Sequence, residues 1–301
     1  MRSKQIKRKK KRPAYGQLVL HIIFMLLCLC YVYPLLLLIT ASFEGADYPQ
    51  FSLRIQQFST LAYEHIFSSP RRIINAYCVT IFYSVVGTVT HLIVVAMFAY
   101  PLSKRDFKYR NIITFLLFFT TLFNGGLVPN YLVNAKLLHL NNTIWIYIIP
   151  GMMSAWNVIV IRTFYQGLPE GLCEAARIDG ASEFRICVQI ILPLATPALA
   201  SIGFLHFIGQ WNNWYTTSIY IKEPELYSLQ YLLKQYLDSE AALKEMMAQG
   251  VISGMEADKQ IKNMESLRFA MAVVAAGPAL IVFPFFQKYF SKGLTMGSVK
   301  G

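Results

Sequence analysis

The sequence predicts an all-α polytopic membrane protein with six transmembrane helices. Three observations carry that prediction. The 301 residues are 55% hydrophobic and 15% charged, with a mean hydropathy of +0.42, whereas an ordinary soluble domain carries about 25% charge. Apolar runs recur that reach the roughly 20 residues needed to cross a bilayer. Lys/Arg clusters flank these runs in short polar segments, while the alternate segments are longer and mixed in charge. The formal net charge of +12 therefore reads as membrane orientation, since no aromatic-interleaved basic patch suggests nucleic acid.

Residues 1–17 form a basic tail, MRSKQIKRKKKR at its start, and residues 18–40 form the first span. That run is too long for the apolar core of a signal peptide and lacks a small-residue cleavage site after it, so it reads as a retained helix with a cytoplasmic N-terminus. Residues 41–75 are an external loop whose mixed stretch FSLRIQQFSTLAYEHIF suits short surface helices. The core, residues 76–290, opens with a second span over 76–100, and the basic SKRDFKYR that follows marks a return to the cytoplasm.

The third span, 112–132, contains Asn124, Gly125, Gly126 and Pro129, a cluster that invites a break in the helix. Non-helical backbone at membrane depth needs protein or a water-filled cavity to cover it. The fourth span is 144–165, with Arg162 placed to snorkel at its cytoplasmic end. A charged stretch over 167–193 separates it from the fifth span, 196–221. A polar external segment over 222–267, partly helical, leads to the sixth span, 269–290, which contains Pro278 and Pro284. Residues 291–301 are a cytoplasmic tail.

The stretch 167–193 is where the sequence is most specific. Pro169 suits the first turn of a helix and Gly180 its end, because only Gly enters the left-handed region without steric cost. A second short helix near Ser182 would place Phe184, Cys187, Val188 and Ile191 on one face, against the rest of the chain. Ala175 and Ala176 keep the first helix slim enough to enter a groove on another protein, with Glu174 and Asp179 supplying charge and register.

Glu174, Ala175, Ala176, Asp179, Gly180 and Ala181, followed by Ile190, Leu192 and Pro193, stand at the spacing of the EAA loop and resemble the permease subunits of ABC-type importers. FNGGLVPNYL at 123–132, GQWNNW at 209–214 and the terminal QKYFSKGLTMGSVKG are similar to the complex-oligosaccharide branch of the carbohydrate importers. The resemblance implies the type I importer permease fold, a bacterial plasma membrane, and a role in taking up a sugar or oligosaccharide. It also implies partners: a second homologous permease subunit, two ATPase subunits carrying ATP and Mg, and an extracytoplasmic sugar-binding protein. The loop would then couple to an ATPase, with Gly293, Gly297, Lys300 and Gly301 of the tail beside it. No phosphate-loop motif occurs in this sequence, which agrees with ATP being bound by another chain.

For the sugar pathway the candidates are Asn124, Gly125, Trp156, Asn157, Trp211, Asn212, Asn213 and Trp214. Asn124 lies about 18 Å up the third span, and Trp211 to Trp214 lie roughly 22 to 27 Å up the fifth. Aromatic faces suit sugar C–H patches and amides suit hydroxyls, and polar groups inside a bilayer often mark a pathway. The alternatives are a belt residue at Trp214, caps or interhelical bonds at Asn212 and Asn213, and close packing at Gly125.

Other chemistry has little support. Cys28, Cys30, Cys78, Cys173 and Cys187 form no CxxC pair, and the five histidines show no ligand spacing, so neither metal nor cofactor is expected on this chain. A secondary carrier would want a mid-membrane carboxylate, which spans two to six lack, and an embedded enzyme would want a nucleophile with its base.

Overall fold

A computed structural model describes residues 15–45 and 53–296, so most of the basic tail and the last five residues lie outside it. Helix α1, Tyr15–Ser42, packs along the last described helix yet is buried only at Ala41 and Ser42. An apolar helix of 28 residues with a bare surface is a helix clothed by lipid. After an antiparallel bridge between Glu44 and Phe58, α2 (Leu61–Phe67) leads into α3, Pro70–Ser103. The second span thus begins several residues before the expected Ala76, because Pro70 opens the helix inside its first turn.

The middle of the chain is built from broken helices. α4, Arg110–Leu122, and α5, Leu127–Tyr131, which continues as a π-helix to Leu137, meet at 115°. The break falls at Asn124 to Gly126, where the Asn124 side chain accepts from the Gly126 N–H at 2.9 Å and Gly126 takes φ +84°. Two 3₁₀ turns at 144–151 precede α6, Ala155–Gln166, with a 46° bend between them. Ser154 caps α6 by accepting from Asn157 N.

α7 (Gly171–Ile178) leads to α8 (Glu183–Ile186), a π-helical turn (Cys187–Ile191) and α9 (Leu192–Leu194), and the last three together turn through 76° into α10, Thr196–Trp211. The fifth span is not continuous to Ile221 as expected. It stops at Trp211, and α11, Tyr215–Tyr220, restarts under a cap in which Asn213 Oδ1 accepts from Thr216 N at 3.0 Å. α12, Leu229–Ala248, and α13, Met255–Met296, complete the chain. At 42 residues α13 is about 63 Å long, roughly twice a bilayer core, so its first turns extend beyond the span toward the polar segment over 222–267.

Among the described residues three helices are long and apolar enough to span alone, and three bent pairs bring the number to six when each pair is one span. α3 is the hub, packing against α6 and α10, and α10 packs in turn on α13. Gly203 makes one of these contacts possible, since a Cβ there would come within 2.9 Å of Leu92 Cδ1. Outside the spans, α12 is clipped to α13 through buried Glu240, which receives Lys244 at 2.7 Å and Arg268 at 2.8 Å.

Candidate functional site

The loop over 171–195 forms the corner that the sequence predicts. Helix α7 ends in a Schellman motif, with Ala181 N donating to Ala176 O and Gly180 N to Arg177 O, both at 3.0 Å, and Gly180 at φ +78°. Ser182 then caps α8 by accepting from Arg185 N. One face of α7 is anchored by buried Cys173 and Ala176. The opposite face presents Glu174, Ala175 and Ile178 to solvent.

Two apolar side chains stand bare at the corner, Ile178 at 87% and Phe184 at 67% exposure. This corrects the face expected for the second segment. Ile186, Cys187 and Ile191 are buried, while Phe184 and Val188 point outward. The π-helical turn lengthens the local repeat, so the 3.6-residue spacing applied to the sequence drifts off the buried stripe. Ile190 and Leu192 pack partly into the same core, and Pro193 lies in α9.

A side-chain clasp fixes this corner to the end of α3. Glu183 accepts from Arg177 Nε at 2.7 Å and from Tyr100 OH at 2.6 Å, one carboxylate oxygen to each. The Arg177 guanidinium first, and the Tyr100 hydroxyl second, hold the Glu183 carboxyl below the usual carboxylate range. Neither Glu183 nor Tyr100 was among the sequence candidates. The signal available was an acidic residue directly after a Ser cap.

The structure gives the pathway candidates different surroundings. Trp211 is 2% exposed, its Nε1 donates to Ala275 O at 3.0 Å, and its ring lies on Phe207. This corrects its placement on a pathway surface, because the indole N–H needs an acceptor when buried and the neighbouring helix supplies one. Asn213 is consumed by its cap, and Asn212 by Ile208 O and Gln230. Trp214 lies under the Lys234 ammonium at 5.3 Å. Trp156 is exposed, and Asn157 donates to His91 Nε2 at 2.9 Å.

Only Asn124 and the turn around it face a cavity of about 470 Å³, within the size range of small-ligand sites. The wall adds Asn130, Asn134, Tyr215, Thr216 and Tyr220, none of which the sequence reading picked out, although Asn130 and Asn134 are one turn apart. No charged side chain lines it. Amides and phenols with no fixed charge can bond hydroxyl groups and stack on a ring face. The Tyr131 and Tyr220 rings are themselves stacked at 5.5 Å, and Asn134 donates to the Tyr220 hydroxyl at 3.3 Å.

The structure also brings together residues that looked scattered. His91 and His206 stack at 4.0 Å between α3 and α10. His91 bonds Gly151 O at 2.9 Å, and Thr88 contacts His206 at 3.2 Å. Gln210 donates to Tyr147 O at 3.2 Å. This seam joins the bend of the fourth span to its neighbours, covering backbone that the bend frees. Among the described residues no group of three or more His, Cys, Asp or Glu is placed to hold a metal. Gly293 lies inside α13, while Gly297, Lys300 and Gly301 lie outside the described residues.

Residues 92–296 match the family described as binding-protein-dependent transport system inner membrane component. The chain is 35% identical over 294 residues, 97% of its own length and 100% of the relative's, to the polygalacturonan/rhamnogalacturonan transport system permease protein YtcP of Bacillus subtilis strain 168. To Protein LplC of the same organism it is 37% identical over 273 residues, 90% of each chain. Among solved structures it resembles a chain of a bacterial ABC transporter involved in the import of the acidic polysaccharide alginate. The TM-score is 0.75 at 27% identity, covering 95% of this chain and 100% of that one.

Proposed function

The chain belongs to the family of binding-protein-dependent transport system inner membrane components, and from that premise we propose that it is the permease subunit through which an ATP-driven importer takes up an oligosaccharide. The names of the proteins it resembles support a carbohydrate cargo, since they include a polygalacturonan/rhamnogalacturonan transport system permease and a transporter involved in the import of alginate. The uncharged amide and tyrosine cavity beside Asn124 supports it from chemistry.

The observation that carries the reading is the corner at Gly180. A rigid turn displays Ile178 and Phe184 bare, beside Glu174 and Asp179, which form no ion pair among the described residues. Exposed apolar side chains on a fixed, charged corner suit a groove on a partner protein. That partner is an ATPase subunit carrying ATP and Mg, present in two copies, with a second permease completing the pathway. A binding protein delivers the sugar from outside, and both termini of this chain are cytoplasmic. Closing of the ATPases moves the corner, and the Glu183 clasp passes that motion to α3.

Copurification from mild detergent, followed by reconstitution, tests this. The expected result is a complex containing an ATPase whose hydrolysis and sugar uptake both rise with loaded binding protein. A chain that transports with no ATPase bound would refute the reading and favour a carrier.

A further inference from the structure

Between the basic segment 103–110 and the root of the corner loop lies a second cavity, of about 280 Å³. It has room for on the order of nine waters. Lys104, Arg105 and Arg110 enter its wall from one side, and Glu170 and Cys173 from the other, so three cations meet one carboxylate.

None of the three cations forms an ion pair among the described residues. Lys104 Nζ has a thiol, Cys173 Sγ at 3.3 Å, and the Tyr100 ring at 4.8 Å for company. Arg110 Nε is sealed from solvent with no hydrogen-bond partner among the described residues. A buried guanidinium N–H without an acceptor is costly, so an acceptor belongs beside it. Arg110 also opens α4, whose first turn carries no acidic residue and whose N-cap, Tyr109, makes no side-chain cap. The positive end of the helix adds to the three side chains and makes the unmet demand anionic.

We propose that this cavity binds a phosphate-bearing anion, either the headgroup of an anionic phospholipid or a soluble phosphate ester, and that the anion ties segment 103–110 to the root of the corner loop. Guanidinium forks match the oxygens of a phosphate, and a lysine adds a point charge. The basic segment sits at the end of a span, on the side where the reading above places the cytoplasm, and there anionic headgroups attract clustered Lys/Arg. The cavity shares Cys173 with α7, so its occupancy bears on how firmly the corner is held, whatever sugar is carried.

The test uses the assembled complex in phosphatidylcholine nanodiscs. One arm titrates phosphatidylglycerol and counts retained lipid by native mass spectrometry. The other titrates inorganic phosphate and measures binding by equilibrium dialysis. The expected result is saturable binding in at least one arm, weakened about tenfold or more by Arg105→Gln with Arg110→Gln and restored by the corresponding Lys changes. Loss in the lipid arm assigns a headgroup, and loss in the phosphate arm assigns a soluble ester. If the double variant does not assemble, Arg105→Gln alone, at an exposed position, is read in its place. Absence of saturable binding to the wild-type complex in both arms, or binding that the Gln changes leave unaltered, would overturn the proposal.

Discussion

Replacing Gly180 by valine perturbs the corner loop without crowding it. A Cβ placed on Gly180 meets nothing within 4 Å, so steric clash with neighbours contributes no cost. The cost is in the backbone, at φ +78°. An ordinary L-residue in the left-handed region loses about 1–2 kcal/mol, and a β-branched one resists φ > 0 more strongly still. The two Schellman bonds at 3.0 Å depend on that φ, so relaxing it lets go of Ala176 O and Arg177 O together. A loss of 1–2 kcal/mol lowers the population of the formed corner roughly 5- to 30-fold. Gly171→Ala is the matched control, since a Cβ there also meets nothing within 4 Å but the residue is helical. That change is neutral or slightly stabilising. Both variants go into the reconstituted complex, where ATPase retention, hydrolysis stimulated by loaded binding protein, and sugar uptake are measured. Gly180→Val should lose uptake and either lose the ATPase or lose stimulation, and Gly171→Ala should lose neither. If the two variants behave alike at wild-type levels, the corner is not the coupling element.

Other expectations follow from the same geometry. Trp211→Phe removes the indole bond to Ala275 O at a cost of about 1 kcal/mol, so thermal stability in detergent should fall while uptake per assembled complex holds; a change in apparent sugar affinity would return Trp211 to the pathway. Asn130→Ala and Tyr215→Ala should raise the KM for uptake with assembly intact, and unchanged KM in both would mean the 470 Å³ cavity is not a sugar contact. Glu183→Gln weakens a half-exposed clasp worth under about 1 kcal/mol. The folded-state carboxyl titrates below its ordinary 4.5, so its stabilisation is full above that pH and fades as pH falls further. The melting-temperature gap between wild type and Glu183→Gln should therefore close below pH 4.5, and a gap constant with pH would contradict the assignment. Cysteine substituted at Ser3, Ser239 and Ser298 in a background without native cysteines should label from the cytoplasm, the outside and the cytoplasm respectively; cytoplasmic labelling at 239 would sink the topology.

What could be read from the sequence was whatever depended on neighbours in the chain. The hinge at Asn124 to Gly126, the left-handed Gly180 and the cap at Ser182 are local chemistry, and each appears where its residues call for it. The stripe on the second loop segment failed because a π-helical turn changes the repeat, and nothing in CVQII announces the change. Distance in sequence hid the rest. Glu183 and Tyr100 are 83 residues apart, and Trp211 finds its acceptor 64 residues on. GQWNNW marked a place where the helix stops, and its indole turned out to hold two helices together. His91 and His206 looked scattered because no spacing rule relates helices as far apart in sequence as α3 and α10.

The broken helices also set an order of assembly during synthesis. α4 and α6, with 13 and 12 residues, reach only about 20 and 18 Å, short of a hydrocarbon core of roughly 30 Å. Each ends in the membrane with carbonyls or N–H groups that lipid cannot satisfy. α1 and α3 have no such handicap and can leave the translocon one at a time. α4 and α6 emerge after α3 and find it waiting, since both pack on it. α10 leans on α3 and also on α13, which is made after it. Ribosome-bound chains that stop before α13 should therefore hold α10 loosely, and α13 acts as the key that locks the earlier helices in place.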